Sequence, residues 1–153
     1  MRLILLTTAT LLMHITSLNA EEAQIMYLAS ITDKTIVSYA LDAKSGDLTA
    51  VNTTELPISP GPMCFSPCGS FLYAAMSGKD ANNETVNAIA TLKILSGGKL
   101  EYITFAKIDV RAPYLKVDPT GKFAMTAHYS TGEINVYRVK DKIVTSENLD
   151  HHT

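Results

Sequence analysis

Short apolar runs alternate with polar turns along this chain from residue 25 onward. The runs are rich in β-branched and aromatic residues, and glycine, proline, aspartate or asparagine separates each run from the next. This pattern is typical of β-strands joined by tight turns. No window carries a long apolar repeat of helical period. The pattern therefore predicts an all-β fold.

One strand–turn–strand pattern occurs twice. Residues 66–75, Ser-Pro-Cys-Gly-Ser-Phe-Leu-Tyr-Ala-Ala, return at 118–127 as Asp-Pro-Thr-Gly-Lys-Phe-Ala-Met-Thr-Ala, an offset of 52 residues. An earlier copy, residues 25–30 followed by 35–41, lacks the turn. Sheet-rich repeats with a period of roughly 40 to 50 residues indicate propeller blades, and blades must stack on one another to bury their faces.

The pattern predicts three repeat units, and the first of them lacks its first strand. Propellers typically have about 4 to 8 blades. We therefore expect residues 21–153 to form an N-terminal arc of about three blades, with the remaining blades missing from this chain. A small self-contained β-sandwich is the alternative. The predicted strands are 25–30, 35–41 and 48–53; 62–65, 71–76, 86–94 and 100–105; and 114–117, 123–128, 133–139 and 143–146.

Residues 1–20 are predicted to be a signal peptide. Arg2 precedes an apolar stretch at 3–18, and the small residue Ala20 comes directly before two glutamates. That order is typical of a secretory signal. The apolar stretch is shorter than the roughly 20 residues of a membrane span. We expect cleavage after Ala20, no membrane association afterwards, and a secreted or periplasmic location.

Charge and composition narrow the expected partners. The formal net charge is −2 and the charges are scattered, so the sequence predicts no nucleic-acid partner and no polybasic membrane patch. Cys64 is predicted in a strand and Cys68 in the following turn, and we expect both thiols to be unpaired because an extended strand separates them too far. No nearby cysteine or histidine completes a metal site. We expect no metal and no cofactor.

Two further polar features have ordinary interpretations. The turn at 42–47 superficially resembles a calcium loop, but Lys44 occupies a ligand position and no bidentate glutamate follows, so an ordinary hairpin turn is expected. Asn52 and Asn83 each begin an Asn-x-Thr sequon in a predicted loop. Glycosylation there requires a source that glycosylates secreted proteins.

Several segments resemble the lactonase family of seven-bladed β-propellers. Residues 66–73 and 118–123 resemble its Ser/Asp-Pro-Asp-Gly-Lys/Arg-Phe-Leu turn, and residues 41–49 resemble its Leu-Asp-x-x-Thr-Gly-x-Leu hairpin. Residues 127–137 resemble its Ala-Asn-Tyr-x-Ser-Gly-x-Val-x-Val segment. The family includes 6-phosphogluconolactonase and 3-carboxymuconate lactonising enzymes. The resemblance covers nearly all of residues 25–153 and implies a ring of seven blades when complete.

The resemblance also has departures. Cys68 and Thr120 replace the usual aspartate of the turn, and His128 stands where the family motif has asparagine. An Arg-Gln…His-x-His segment of the family, expected after His151 and His152, is absent from this chain. We therefore expect this chain alone to be inactive.

The resemblance implies a secreted hydrolase that opens a small-molecule, sugar-type lactone with activated water. Export favours a non-phosphorylated lactone, because the phosphorylated sugar lactone belongs to cytoplasmic metabolism. A muconate-type lactonising enzyme and a non-catalytic propeller that serves as a binding module remain alternatives. An intact set of downstream arginine and histidine residues would favour an enzyme over a binding module.

The candidate site residues lie in predicted loops that share one edge of the blades, where ligands commonly bind. Arg111, His128, Tyr129, His151 and His152 are expected to converge at the channel mouth. His128 is the candidate catalytic base, because histidine titrates near neutral pH. The other four residues are candidates for substrate binding, with the arginine as a bidentate clamp for a carboxylate or phosphate. A rim side chain with local hydrogen bonds is the competing interpretation for each.

Overall fold

The structure is a computed structural model, and it describes residues 24–153. This part of the chain consists of β-strands, their turns and connections, and one short 3-10 helix at Ser96–Gly98. The predicted signal peptide, residues 1–20, lies outside the described residues and stays a prediction. The strands are β1 (Gln24–Ser30), β2 (Thr35–Leu41), β3 (Leu48–Glu55), β4 (Pro60–Phe65), β5 (Phe71–Lys79), β6 (Thr85–Ile94), β7 (Leu100–Ile108), β8 (Tyr114–Val117), β9 (Phe123–His128), β10 (Glu133–Lys140) and β11 (Ile143–His152).

The strands form three antiparallel sheets in chain order. The first sheet has the order β1-β2-β3, the second β4-β5-β6-β7 and the third β8-β9-β10-β11. Consecutive sheets stack with like positions together, because β4 contacts β8, β3 contacts β7, and β7 contacts β11. The architecture confirms the prediction of three propeller blades, of which the first lacks its innermost strand.

Two apolar clusters hold the blades together. One lies between the first and second blades around Ile36, Leu72 and Met76. The other lies between the second and third blades around Tyr73 and Tyr137. Removal of apolar surface from water contributes roughly 25 cal/mol per Å². The middle blade is covered on both faces, so its central strands β5 and β6 are buried almost continuously, whereas β9 alternates between buried and half-buried positions.

The repeated turns between the first two strands of the second and third blades have the predicted geometry. Gly69 and Gly121 both have φ of 70°, which glycine adopts at little cost. Asp118 accepts backbone hydrogen bonds from Thr120, Lys122 and the next residue, each 2.9 Å long. Desolvation acts against ionisation of Asp118, but these bonds and the Thr120 hydroxyl outweigh it and lower the carboxyl pKa to about 2.

Three strands extend at least three residues beyond their predicted ends: β5, β7, which continues from residue 105 to Ile108, and β11. The strand predicted to end at residue 76 continues to residue 79, because Ser77 donates to Asn87 Oδ1 at 2.8 Å and the polar residues beyond it still pair with β6. The last strand continues from the predicted residue 146 to His152, and shifts in register within the β10–β11 pair accommodate the extra residues. The final residues are therefore part of the sheet rather than a tail.

The structure also shows where the two sequons, the two cysteines and the turn at 42–47 lie. Asn52 lies in β3 opposite Ser38, which agrees with the predicted strand 48–53, so the separate prediction that it lies in a loop was wrong; Asn83 lies in the turn after β5. Cys64 is buried in β4 and Cys68 is exposed in the turn, and both are free thiols. Asp42 caps its own hairpin turn by accepting the backbone N–H of Lys44 at 2.8 Å.

Candidate functional site

One edge of the three blades collects the polar loops, and we call it the loop edge. It comprises the turns after β1, β5 and β9, the connections into β4 and β8, and the end of β11. The register places these segments together, since Ser30 pairs with Thr35, Lys79 with Thr85, and His128 with Glu133 at the ends of their hairpins. All five candidate site residues lie along this edge.

A cavity of about 260 Å³ opens beside the start of β4, the innermost strand of the second blade. Arg111 is the charged residue among those that line it, and it comes from the connection between β7 and β8. The rest of the lining is apolar or weakly polar, so Arg111 is the residue of this lining that could pair with an anionic group. The lining residues are Ile31, Ser59, Pro60, Gly61, Pro62, Ala75, Met76, Ser77, Arg111 and Ala112.

His128 ends β9 between the second and third blades, and only 2% of its surface is exposed. Its Nδ1 lies 2.9 Å from the backbone carbonyl oxygen of Arg111. Its Nε2 lies 2.9 Å from Thr126 Oγ1 and 3.3 Å from Asn135 Nδ2. A carbonyl only accepts and an amide nitrogen only donates, so the neutral ring carries its hydrogen on Nδ1 and accepts at Nε2.

The hydrogen-bond network continues outward across the third blade. Asn135 is 4% exposed, and its Oδ1 accepts from Asn148 Nδ2 at 3.0 Å. The same oxygen accepts from His151 Nδ1 at 2.9 Å. His128 and His151 are therefore linked through one asparagine side chain, and the amide orientation is fixed by donors on one side and an acceptor on the other.

The structure thus brings together three of the five predicted residues. Arg111 and His128 are in direct contact, and His151 joins them through Asn135. Tyr129 is 89% exposed in the turn after β9. His152 turns to the other side and bonds Asp150 Oδ2 at 3.1 Å, as expected for adjacent residues of a strand.

Sequence reasoning missed the buried polar residues that connect the site. Asn135 lies inside the family-like segment 127–137, and Thr126 lies at the end of the second repeat, yet neither was selected. The feature that could have identified these two residues in the sequence is a polar residue at a strand position whose side chain faces the core. Glu133 was also not selected, and it stands outside this network, because its Oε2 is buried and has no hydrogen-bond partner among the described residues. That oxygen is a free acceptor beside His128 at the loop edge.

No group of three or more His, Cys, Asp or Glu side chains within residues 24–153 is arranged to hold a metal ion. The same part of the chain contains no helix long and apolar enough to cross a membrane.

The three stacked antiparallel sheets define the class of protein, which is part of a β-propeller. Residues 25–153 match the family model described as Lactonase, 7-bladed beta-propeller. The chain belongs to this family, which confirms the resemblance seen in its turns. It supplies three blades of a fold that has seven.

Two curated relatives that match this chain are both 6-phosphogluconolactonases. The chain is 26% identical over 119 residues to 6-phosphogluconolactonase of Xenorhabdus nematophila, covering 78% of this chain and 34% of that protein. It is 26% identical over 124 residues to 6-phosphogluconolactonase of Photorhabdus laumondii, covering 81% of this chain and 35% of that protein. The chain therefore spans about a third of the length of the curated relatives it matches.

Among solved structures, the periplasmic gluconolactonase PpgL of Pseudomonas aeruginosa is similar to this chain. The TM-score is 0.65 at 16% identity, and the match covers 82% of this chain and 35% of that one. At this identity the similarity establishes the fold, and it agrees with three blades of a longer propeller.

Proposed function

We propose that this chain forms part of a hydrolase that opens a sugar-type lactone. In this reaction the oxygen of water attacks the lactone carbonyl carbon while a base takes a proton from it. The ring C–O bond then breaks, the leaving oxygen takes up a proton, and the product is a hydroxy acid with a carboxylate. Donors held at the carbonyl oxygen stabilise the negative charge of the intermediate.

The observation that carries this proposal is Arg111 at the mouth of a cavity of about 260 Å³. A guanidinium binds a carboxylate through two parallel hydrogen bonds, and a charge-assisted bond of this kind is stronger than a neutral one. The developing carboxylate of the product is such a group. The small cavity volume suits a single sugar ring rather than a polymer.

The identity of the base is a separate question. The prediction that His128 is the general base stays a prediction, and its geometry supports a different role, since both ring nitrogens are hydrogen-bonded within the protein. His151 has an exposed ring, and the free carboxylate oxygen of Glu133 is another acceptor at the same edge. We expect the complete set of catalytic groups to require blades beyond this chain, so the chain alone should be inactive.

We further propose that the protein acts outside the cytoplasm on a non-phosphorylated lactone. The apolar stretch at 3–18, followed by Ala20, supports export. The periplasmic location in the name of the Pseudomonas aeruginosa neighbour agrees with this proposal.

The proposal is tested through binding of the product anion. D-Gluconate is titrated into the isotope-labelled chain, and amide signals around the cavity are followed by NMR. We expect Arg111→Gln to weaken binding by about tenfold or more, since loss of a charge-assisted bond costs roughly 1.5–3 kcal/mol. Arg138→Gln is the matched control, because Arg138 pairs with Glu147 at 2.8 Å on the exposed outer strands.

Comparison of the Arg111 and Arg138 variants distinguishes a specific anion site from a general effect of removing one positive charge. Equal loss of binding in both variants, or unchanged binding in the Arg111 variant, would contradict an anion site at this cavity. With all seven blades present, the protein should also hydrolyse a sugar lactone faster than buffer does. An inactive complete propeller that still binds gluconate would favour a binding module over an enzyme.

A further inference from the structure

Polar residues in the third blade replace apolar residues that occupy the same positions in the second. Thr126 and His128 lie 52 residues after Ala74 and Met76. All four side chains are at most 2% exposed, and each pair faces the preceding blade. The second blade therefore stacks with alanine and methionine where the third blade has a hydroxyl and an imidazole.

The neighbouring strands differ in the same way. Asn135 in β10 has the register position that Ala90 has in β6. His151 in β11 has the position that Phe105 has in β7. Stacking of blades in this fold does not require a polar layer here, since the equivalent layer of the second blade is entirely apolar. A fully satisfied buried network instead fixes its members in one arrangement.

We propose that His128 is a positioning residue, which anchors the connection at 109–113 and thereby holds the Arg111 guanidinium at the cavity. Nδ1–H donates to the Arg111 carbonyl at 2.9 Å, so the bond acts on the backbone of a residue that lines the cavity. The inference rests on the proposed function for the role of Arg111 as the anion-binding group.

The rest of the network keeps this donor in place. Thr126 Oγ1 and Asn135 Nδ2 both donate to Nε2, which leaves the hydrogen of the neutral ring on Nδ1. His151 in turn holds the Asn135 amide from its other side at 2.9 Å. A network of this kind selects one tautomer, one ring orientation and one position of the Arg111 backbone. With the Arg111 backbone held in one position, the arginine side chain loses less freedom when it binds an anion.

The test copies the apolar layer of the second blade into the third. The triple variant Thr126→Ala, His128→Met, Asn135→Ala removes the donor to Arg111 together with its supporting groups. We expect the variant to fold, since the same side chains stack between the first two blades. We expect NMR order parameters at residues 109–112 to fall from about 0.85 toward 0.6 or below. D-Gluconate affinity should fall by about tenfold.

Rescue distinguishes positioning from a general effect on packing. His128→Asn retains a side-chain N–H donor at the position of Nδ1, so it should keep residues 109–112 ordered and preserve most of the gluconate affinity, whereas His128→Met should not. Ordered amides at 109–112 in the triple variant, with unchanged gluconate affinity, would overturn the proposal.

A measurement on the unsubstituted chain covers the case in which the variants fail to fold. Nitrogen-15 shifts of the His128 ring at neutral pH should report hydrogen on Nδ1 and a bare, hydrogen-bonded Nε2. The opposite tautomer would overturn the proposal without any substitution. If gluconate does not bind the unsubstituted chain at all, the proposed function fails, while the order parameters at 109–112 still decide whether His128 positions the connection.

Discussion

At the scale of single residues, the two copies of the repeated turn use different side chains to accept the backbone N–H groups of the turn. In the third blade its first residue is Asp118, whose carboxylate accepts the backbone donors of the turn. In the second blade Ser66 takes that place and accepts the N–H of Phe71 at 3.0 Å. The turn geometry is the same, so the side chains between the shared proline and glycine are free to vary. Cys68 occupies one such position.

Cys68 is expected to be the reactive thiol of this chain. Hydrogen bonds with Ser66 Oγ at 3.3 Å and Ser70 Oγ at 2.9 Å, with a further contribution from Lys142, lower its pKa from 9.0 to about 6. The thiolate is the nucleophile, so the rate of alkylation should rise as the pH increases through about 6 and level off by neutral pH. The alkylation rate with iodoacetamide, measured against pH, checks this.

The second cysteine supplies the control for that measurement. Burial raises the pKa of Cys64, so this thiol should stay unmodified under the same conditions. Ser70→Ala should shift the midpoint for Cys68 toward its ordinary value. A midpoint near 9 in the unsubstituted chain would contradict the expected stabilisation of the thiolate.

At the scale of strands and blades, a hydrogen bond from Tyr73 crosses the apolar cluster between the second and third blades. Tyr73 on β5 is 1% exposed, and its hydroxyl donates to the carbonyl of Lys142 at 2.9 Å. Burial raises the pKa of Tyr73 to about 12, so the phenol is neutral and remains a donor at physiological pH. The bond reaches the β10–β11 turn, where Asp141 and Lys142 both have positive φ.

Tyr73→Phe should reduce the free energy of unfolding by about 1 kcal/mol. The ring and its packing are retained, but the Lys142 carbonyl loses its partner from the neighbouring blade, and a net hydrogen bond is worth roughly 0.5–1.5 kcal/mol. Tyr114→Phe is the control, since Tyr114 is 56% exposed. Urea unfolding followed by circular dichroism measures both variants. Equal stability of the two would mean that the bond contributes nothing to docking of the blades.

Local pattern predicted most of this architecture, and the reason is visible in particular elements. The turns with Gly69 and Gly121 depend on a few adjacent residues, so the sequence identifies them directly. The end of β11 depends on register shifts against β10, which no local pattern encodes. The Asn135 link between His128 and His151 depends on which side chains share a face after three strands have paired. Convergence along the edge could be predicted, whereas the hydrogen-bond partners could not.

At the scale of the whole molecule, three stacked blades leave two faces without a neighbour. Met26 and Leu28 are 42% and 50% exposed on the outward face of the first blade. Ile134 is 49% exposed on the outward face of the third. The corresponding faces of the middle blade are buried, and in a seven-bladed ring adjoining blades would cover both outer faces. The free edge of β1 adds unpaired backbone groups, since β1 pairs only with β2 among the described strands.

We therefore expect the chain, expressed from Glu21 onward, to associate in solution. Exposed apolar faces and open strand edges favour contact between copies. Light scattering coupled to size-exclusion chromatography should give a mass above that of a single chain of residues 21–153, and this mass should rise with concentration. Leu28→Lys combined with Ile134→Glu should lower the associated fraction severalfold, because each change places a charge on an outward face. Ser45→Lys, in the exposed turn after β2, is the control for added charge.

The melting behaviour decides between an arc of a ring and a domain that is stable by itself. Blades that contact only their neighbours have a stability that depends on the number of stacked interfaces, and this chain has two apolar interfaces. We expect broad unfolding at a temperature that increases with protein concentration, since association covers the open faces. A monodisperse monomer with a sharp transition, independent of concentration, would contradict this expectation. In that case three blades would suffice for an independent domain, and the loop-edge site would have to function with the residues that this chain provides.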